Sequence, residues 1–430
     1  MTPAARAAAA IEVLANIGAR RRPAADAMKD WGLAHRFAGS GDRAAISGLV
    51  YDALRKKSSS AWIMGESTPR AEILGALRQT RGLDVEAIAA LFTGEGHAPA
   101  LLTQAERERL GEANLAGAPP HVAGDFPEWL APRFEASFGD EAADEGRALA
   151  ERAPLDLRIN LLKATRDKAL GALAYLKPEP TPFSPVGLRI AMRSDGRPPP
   201  LASDPVYVKG QVEVQDEGSQ LAALLAEAKP GMQVLDLCAG AGGKTLALAA
   251  AMENKGQLYA ADPDAHRLAP IFARLARSGA RNVQVRAPKG PADVLADLEG
   301  RCDLVLIDAP CTGSGAWRRN PDAKWRMRPG ALEQRIKDQE ETLENAVRFV
   351  KRGGRIIYIT CSVLKAENED RIAAFMAAHD DLLPIDAAAQ AKSAGLPALA
   401  AHRSALGPGF RLSPRATGTD GFYIATLTRG

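Results

Sequence analysis

From Pro230 onward the chain alternates short apolar runs with longer amphipathic stretches, and that alternation allows few folds. Residues 234–237, 257–261, 283–286, 303–307, 355–359 and 422–427 read as strands. Residues 243–252, 268–276, 332–350 and 366–378 read as the helices between them. Strands joined through helices form a mainly parallel, doubly wound sheet, so the fold class is α/β. Such sheets bind ligands at the carboxyl edge of their strands. Three features fall on that edge. A Gly-rich turn, Cys238-Ala239-Gly240-Ala241-Gly242-Gly243-Lys244-Thr245, follows the first strand. Cys311 follows the fourth strand and Cys361 the fifth.

The chain before this alternation reads differently. Residues 1–120 are expected to be an all-helical domain. Residues 5–19 put Ile11, Val13, Leu14 and Ile17 on one apolar face. Residues 44–54 repeat Ile46, Leu49, Val50 and Leu54 at helical spacing, with Asp42 as the expected N-cap. Residues 70–79 and 85–91 are further helices. Residues 111–127, rich in Gly, Ala and Pro, read as a linker. Residues 128–229 read as a connecting α/β subdomain: helices at 128–138 and 142–151, an alternating strand at 155–160, and a helix at 216–228. Pro-rich turns are expected at 178–185 and 197–200. Residues 230–430 form the third domain.

Composition excludes several classes. Apolar residues make up 46% of the chain and charged residues 25%, ordinary for a globular protein. Four cysteines in 430 residues do not make a disulfide framework, so a reduced, cytoplasmic protein is expected. No Cys-x-x-Cys pair occurs, and no metal is expected. No run approaches the ~20 apolar residues of a membrane span, and no leader is expected. The net charge of +3 decides little, but its distribution is uneven. Residues 1–60 carry ten Lys/Arg against five Asp/Glu. Residues 318–337 carry seven (Arg318, Arg319, Lys324, Arg326, Arg328, Arg335, Lys337) against Asp322 and Glu333. Such clusters suit a polyanion, and equally a solvated charged surface.

Three readings compete for the Gly-rich turn. Gly243-Lys244-Thr245 matches the end of a P-loop, but the glycine required five positions earlier is Cys238. Gly240 and Gly242 match two glycines of a dinucleotide fingerprint, but the third falls at Thr245. The third reading is the S-adenosylmethionine turn of a class I methyltransferase. There the first strand ends in an acid, here Asp236, and the glycines bring the backbone against the methionine moiety. An acid ending the second strand, here Asp262, accepts hydrogen bonds from the ribose hydroxyls. Its competing reading is a helix N-cap.

The two edge cysteines narrow the chemistry. C5 of cytosine is a poor nucleophile. A thiolate added to C6 turns the ring into an enamine whose C5 attacks a methyl donor, which splits one hard step into easier ones. The adduct then loses the C5 proton and expels the thiol. An acid near N3 stabilises the charge, and Asp308 is placed for this. For each thiol the alternative is a small buried hydrophobe, the reading preferred for Cys302.

These motifs resemble those of the Nop/Sun family of RNA cytosine-5 methyltransferases. The resemblance covers about residues 128–430 and rests on motifs in family order: Gln215-Asp216-Glu217-Gly218-Ser219, residues 238–245, Asp308-Ala309-Pro310-Cys311-Thr312-Gly313-Ser314-Gly315, Arg318-Arg319-Asn320-Pro321, Thr360-Cys361-Ser362, Asn368-Glu369 and Asp420-Gly421-Phe422-Tyr423. It implies that Cys361 is the nucleophile and that Cys311 assists product release. It also implies S-adenosylmethionine held by residues 238–244, Asp262 and Asp308, with Lys244 near the methionine carboxylate. Two departures stand out. Gly240-Ala241 replaces the family's Ala-Pro, and Arg286-Ala287-Pro288-Lys289-Gly290 lacks the usual acid near the adenine, the nearest being Asp293. Residues 41–51 with Leu54 and Arg55 resemble the NusB-like helical domain of the bacterial small-subunit ribosomal RNA enzymes. Its implied role is RNA docking, with Arg20, Arg21, Arg22, Arg55, Lys56 and Lys57 as phosphate contacts. Arg318, Arg319 and Lys324 are expected to hold RNA phosphates and to make the thiols' surroundings electropositive. Small-subunit ribosomal RNA is the expected substrate, with transfer RNA, or a non-catalytic RNA-binding assembly role, as alternatives. A cytoplasmic monomer without membrane contact is expected.

Overall fold

A computed structural model describes residues 1–192 and 199–430. Of the second Pro-rich turn, Arg197 and Pro198 lie outside the described residues. The chain divides into two compact units. One holds residues 1–152 with 317–328, and the other 153–192, 199–316 and 329–430.

The first unit is helical. Its main helices are Pro3–Arg20, Ala24–Ala34, Ser40–Arg55, Lys57–Met64, Pro69–Gln79 and Gln104–Gly111. Thr2 and Thr68 cap the first and fifth of these through their hydroxyls, each just before a proline at the first helical turn. Val13, Leu14, Ile17, Ile46, Val50, Leu54, Ile73, Leu74 and Leu77 meet in one core. Burying each such side chain stabilises the fold by up to about 1.5–3 kcal/mol.

Several expectations for this unit are corrected. The third helix starts after Gly39, so Asp42 is not its N-cap but lies in its first turn, where it accepts from Arg6 Nε at 2.9 Å. The stretch 111–127 is anchored at its end. Asp125 is 1% exposed and accepts from the Ser59 amide at 2.9 Å and the Ser59 hydroxyl at 2.7 Å. Lys324 is 1% exposed and donates to the carbonyls of Asp125 at 2.5 Å and Arg55 at 3.1 Å, so it is buried away from any phosphate. Burial lowers its pKa from 10.5 to about 7, against the opposing pull of Asp125. Arg55 is buried too, donating to the Arg318 carbonyl at 3.0 Å. Lys56 pairs with Glu151 and Lys57 with Glu72, while Arg20 and Arg21 remain exposed.

The second unit begins with a small antiparallel sheet of β1 (Leu155–Ile159), β2 (Glu179–Pro180), β3 (Gly187–Ile190) and β4 (Val212–Val214), in the order β2-β3-β1-β4. Buried Asp156 on β1 accepts a two-pronged contact from Arg189 at 2.7 and 2.8 Å. It also accepts from the Glu217 amide at 3.1 Å, which ties this sheet to helix Glu217–Leu225.

The large sheet contains β5 (Gln233–Asp236), β6 (Gln257–Ala261), β7 (Val283–Arg286), β8 (Cys302–Asp308), β9 (Val350–Thr360), β10 (Leu382–Pro384), β11 (Phe410–Leu412) and β12 (Phe422–Arg429). Its order is β10-β12-β9-β8-β5-β6-β7, with β11 beside β12. Strands β5 to β9 are parallel, as expected; β12 runs antiparallel to β9. Leu304, Leu306, Ile357 and Ile359 face one apolar layer, and Val305, Ile307, Ile356 and Tyr358 face the other. Burial on both faces explains why these strands read as unbroken apolar runs. No helix among the described residues is long and apolar enough to cross a membrane.

Candidate active site

The sheet order changes direction at β5, which lies between β6 and β8, and a crevice opens there at the carboxyl edge. The turn after β5 is tied to the end of β6 and closed on itself: Ala239 N–H donates to Ala261 O at 2.8 Å and Gly242 N–H to Ala239 O at 2.8 Å. Gly240 and Gly242 have φ of 48° and 83°, a region that favours glycine. A Cβ at Gly242 would lie 2.5 Å from Ile271. The replacement of Ala-Pro by Gly240-Ala241 is thus accommodated by a left-handed turn.

Asp262 is 2% exposed, accepting from the Gly240 amide at 3.0 Å and the Asp264 amide at 2.9 Å. It is not a helix cap; Asp264 caps helix Ala265–Leu268. Asp262 lines a cavity of about 360 Å³ together with Leu237, Cys238, Ala261, Pro288 and Leu295. Asp293 also lines it, but its carboxylate is held by Arg348 at 2.8 Å and the Leu295 amide at 3.0 Å. Asp236 accepts from Thr245 Oγ1 at 2.7 Å, and its other oxygen is buried without a partner. Burial, and then Asp308 and Asp262, push its pKa up to about 7.

The other half of the site is built by the loops after β8 and β9. Asp308 pairs across the parallel register with Ile359, so the two loops leave the sheet side by side. Ala309 N–H donates to Ile359 O at 2.8 Å and Gly315 N–H to Cys361 O at 2.9 Å. The sulfurs of Cys311 and Cys361 come to 3.4 Å, and both residues are partly exposed. The contact with Cys361, then burial, raises the Cys311 pKa, which favours its protonated form; either sulfur can donate across the contact. Burial keeps the other two thiols protonated. Cys302 is fully buried and pushed up to about 12 by burial, and burial also raises the buried Cys238. Asp308, 36% exposed, accepts from Lys244 Nζ at 2.6 Å. The lysine expected near a methionine carboxylate therefore meets Asp308, with its ammonium 5.5 Å from the Phe422 ring.

Sequence reasoning missed Glu367, which is fully buried between the two cysteine loops. Its carboxylate accepts from the Thr312 amide at 2.8 Å, the Thr312 hydroxyl at 2.5 Å, Gln339 Nε2 at 3.1 Å and the Ser362 hydroxyl. An acid beside Asn368-Glu369 was the one signal available. The loops are also locked at Gly315, where a Cβ would lie 2.0 Å from Gly421 O. Gly315→Ala is expected to lose about 1–3 kcal/mol of stability by overpacking. Amide hydrogen exchange in β9 would read this as faster exchange, and wild-type exchange would show that the loops can part.

The sequence matches the family model for the 16S rRNA methyltransferase RsmB/F over residues 223–428. A second model, the RsmF/B-like ferredoxin-like domain, matches residues 126–195. The probable ribosomal RNA small subunit methyltransferase B of Synechocystis sp. is 32% identical over 264 residues, covering 60% of this chain and 57% of that protein. The ribosomal RNA small subunit methyltransferase B of Sodalis glossinidius is 33% identical over 337 residues, covering 77% of this chain and 69% of that protein. Among solved structures, PH0851 overlays the whole chain and 99% of its own length at a TM-score of 0.72 and 25% identity. A methyltransferase homolog from Pyrococcus horikoshii, 24% identical, shares the fold over 72% of this chain and 98% of its own at a TM-score of 0.60. A relative one-third identical across more than two thirds of its own length settles the assignment: the chain belongs to the 16S rRNA methyltransferase RsmB/F family.

Proposed function

We propose that this protein transfers a methyl group from S-adenosylmethionine to C5 of a cytosine in small-subunit ribosomal RNA, in the cytoplasm, through a covalent Cys361–C6 adduct. The 3.4 Å approach of Cys311 and Cys361 carries this reading. Two thiols at one sheet edge suit a pyrimidine carbon, whereas transfer to an exocyclic amine needs neither. The names of the Synechocystis and Sodalis relatives favour ribosomal RNA over transfer RNA.

The residues present fit the methyl donor. The cavity beside Asp262 suits a nucleoside, and the partnerless oxygen of Asp236 calls for a donor such as an ammonium group. When bound, S-adenosylmethionine supplies an electrophilic methyl group. The chain's own residues do the rest. The Cys361 thiolate adds to C6, and the electron pair of the C5–C6 double bond gives C5 its nucleophilic character. Asp308, with Lys244 on one oxygen, is the group assigned to N3, where a proton held between its carboxyl group and N3 neutralises the negative charge that addition pushes into the ring. Adduct formation turns the Cys361 thiolate into a neutral thioether. That removes the largest influence holding the proton on Cys311, which then releases its proton to solvent and, as a thiolate, takes the C5 proton. The double bond re-forms as the Cys361 sulfur leaves.

Bisulfite sequencing of total RNA from a strain lacking the protein tests the assignment. One cytosine of the small-subunit RNA is expected to lose its methyl mark. Loss of a mark in transfer RNA instead would move the substrate, and no lost mark at all would refute the reaction.

A further inference from the structure

We infer that Glu367 is a positioning residue that sets both the spacing of Cys311 and Cys361 and the order in which the two thiols act. Its carboxylate bonds Thr312, the residue after Cys311, through amide and hydroxyl, and Ser362, the residue after Cys361, through its hydroxyl. One fully buried group thus holds the chain on both sides of the 3.4 Å sulfur contact. The Ser314 and Ser362 hydroxyls, 2.9 Å apart, and the bond from Val363 N–H to Ser314 Oγ at 3.0 Å tie the same loops a second time.

Loop tethering alone does not explain a carboxylate here. The four groups that bond it are all neutral donors, so a buried charge is held without a cation. What the charge adds is a field on Cys311. Burial raises the Glu367 pKa against the lowering pull of the Ser362, Thr312 and Gln339 hydrogen bonds, and in its charged form Glu367 adds to the Cys361 contact and burial in keeping the proton on Cys311. Cys311 therefore stays a thiol while Cys361 attacks, and becomes the base only after the adduct has formed. The inference rests on the proposed reaction for its turnover readout but not for its thiol readout.

The test compares wild type with Glu367→Gln, which removes the charge and nearly keeps the shape, and Glu367→Asp, which keeps the charge. Iodoacetamide alkylation of Cys311 and Cys361 is followed against pH by peptide mass spectrometry, and kcat and KM are measured on small-subunit ribosomal RNA. Glu367→Gln is expected to bring Cys311 alkylation to lower pH. It is also expected to cut kcat by about tenfold or more with KM within about twofold, as loss of a transition-state contribution does. Glu367→Asp is expected to recover the alkylation profile in part. Thr312→Val, which removes one tether and leaves the charge, is expected to lower kcat without moving the Cys311 profile. Wild-type alkylation profiles in Glu367→Gln overturn the inference, whatever kcat does, and so does an equal loss of kcat in the Gln and Asp variants. A shifted Cys311 profile in a protein that methylates no cytosine would instead refute the proposed function and leave the role of Glu367 standing.

Discussion

Cys361→Ala is expected to lower methyl transfer by at least about 10³-fold while RNA binding stays intact, because removal of a covalent nucleophile leaves only binding and electrostatic catalysis. Cys311→Ala is expected to behave in the opposite way. Cys361 still attacks, but the group that takes the C5 proton is gone, so the adduct accumulates. RNA-linked protein should then survive a denaturing gel, and Cys361→Ala combined with Cys311→Ala should abolish that band. The geometry makes the two outcomes separable. The sulfurs touch at 3.4 Å, yet each is carried by its own loop, after β8 and after β9. Full turnover in Cys361→Ala would show that the attacking group is another. An adduct with Cys361→Ala alone would exchange the roles of the two thiols.

The parallel core was legible because its strands are buried on both faces, which leaves nothing polar to blur their apolar runs. The direction of β12 was not legible. A strand buried on both faces has the same composition read either way, and only its pairing with β9 shows it to be antiparallel. The small sheet escaped for another reason. β2 and β4 are two and three residues long, too short to carry a period, and the Pro-rich stretch hides β2. In the site, the residue types and their edge placement could be read, but not their partners. Lys244 and Asp308 are 64 positions apart and Thr312 and Glu367 are 55, separations at which one sequence carries no pairing signal. Lys324 was misread for a general reason. Lysine is rarely buried, so a lysine in a basic run reads as surface, and here the run's charge count concealed a structural cation.

That misreading leads to the second large expected effect. Lys324→Met keeps the aliphatic stem but removes the ammonium that donates to the Asp125 and Arg55 carbonyls. It also takes away the cation that acts most strongly on the nearly fully buried Asp125 carboxylate, leaving it with Ser59 and the weaker influence of Lys56. Loss of one partner from a buried charged cluster costs about 3–5 kcal/mol. The full chain is unsuited to a single two-state midpoint, so the readout is amide hydrogen exchange in helix Ser40–Arg55, expected to accelerate. The pH dependence adds a signed check. Folding lowers the Lys324 pKa from 10.5 to about 7, so between those values the unfolded chain holds a proton that the folded chain has released. Stability contributed by this group therefore rises with pH across that window, and Lys324→Met is expected to flatten the rise. RNA binding separates the structural reading from the phosphate-contact one. A lost phosphate contact lowers the salt slope by about one unit, whereas a buried structural cation leaves the slope unchanged. A shallower slope with wild-type exchange would return Lys324 to the RNA surface. Faster exchange with an unchanged slope would place its charge in the folding of the helical unit.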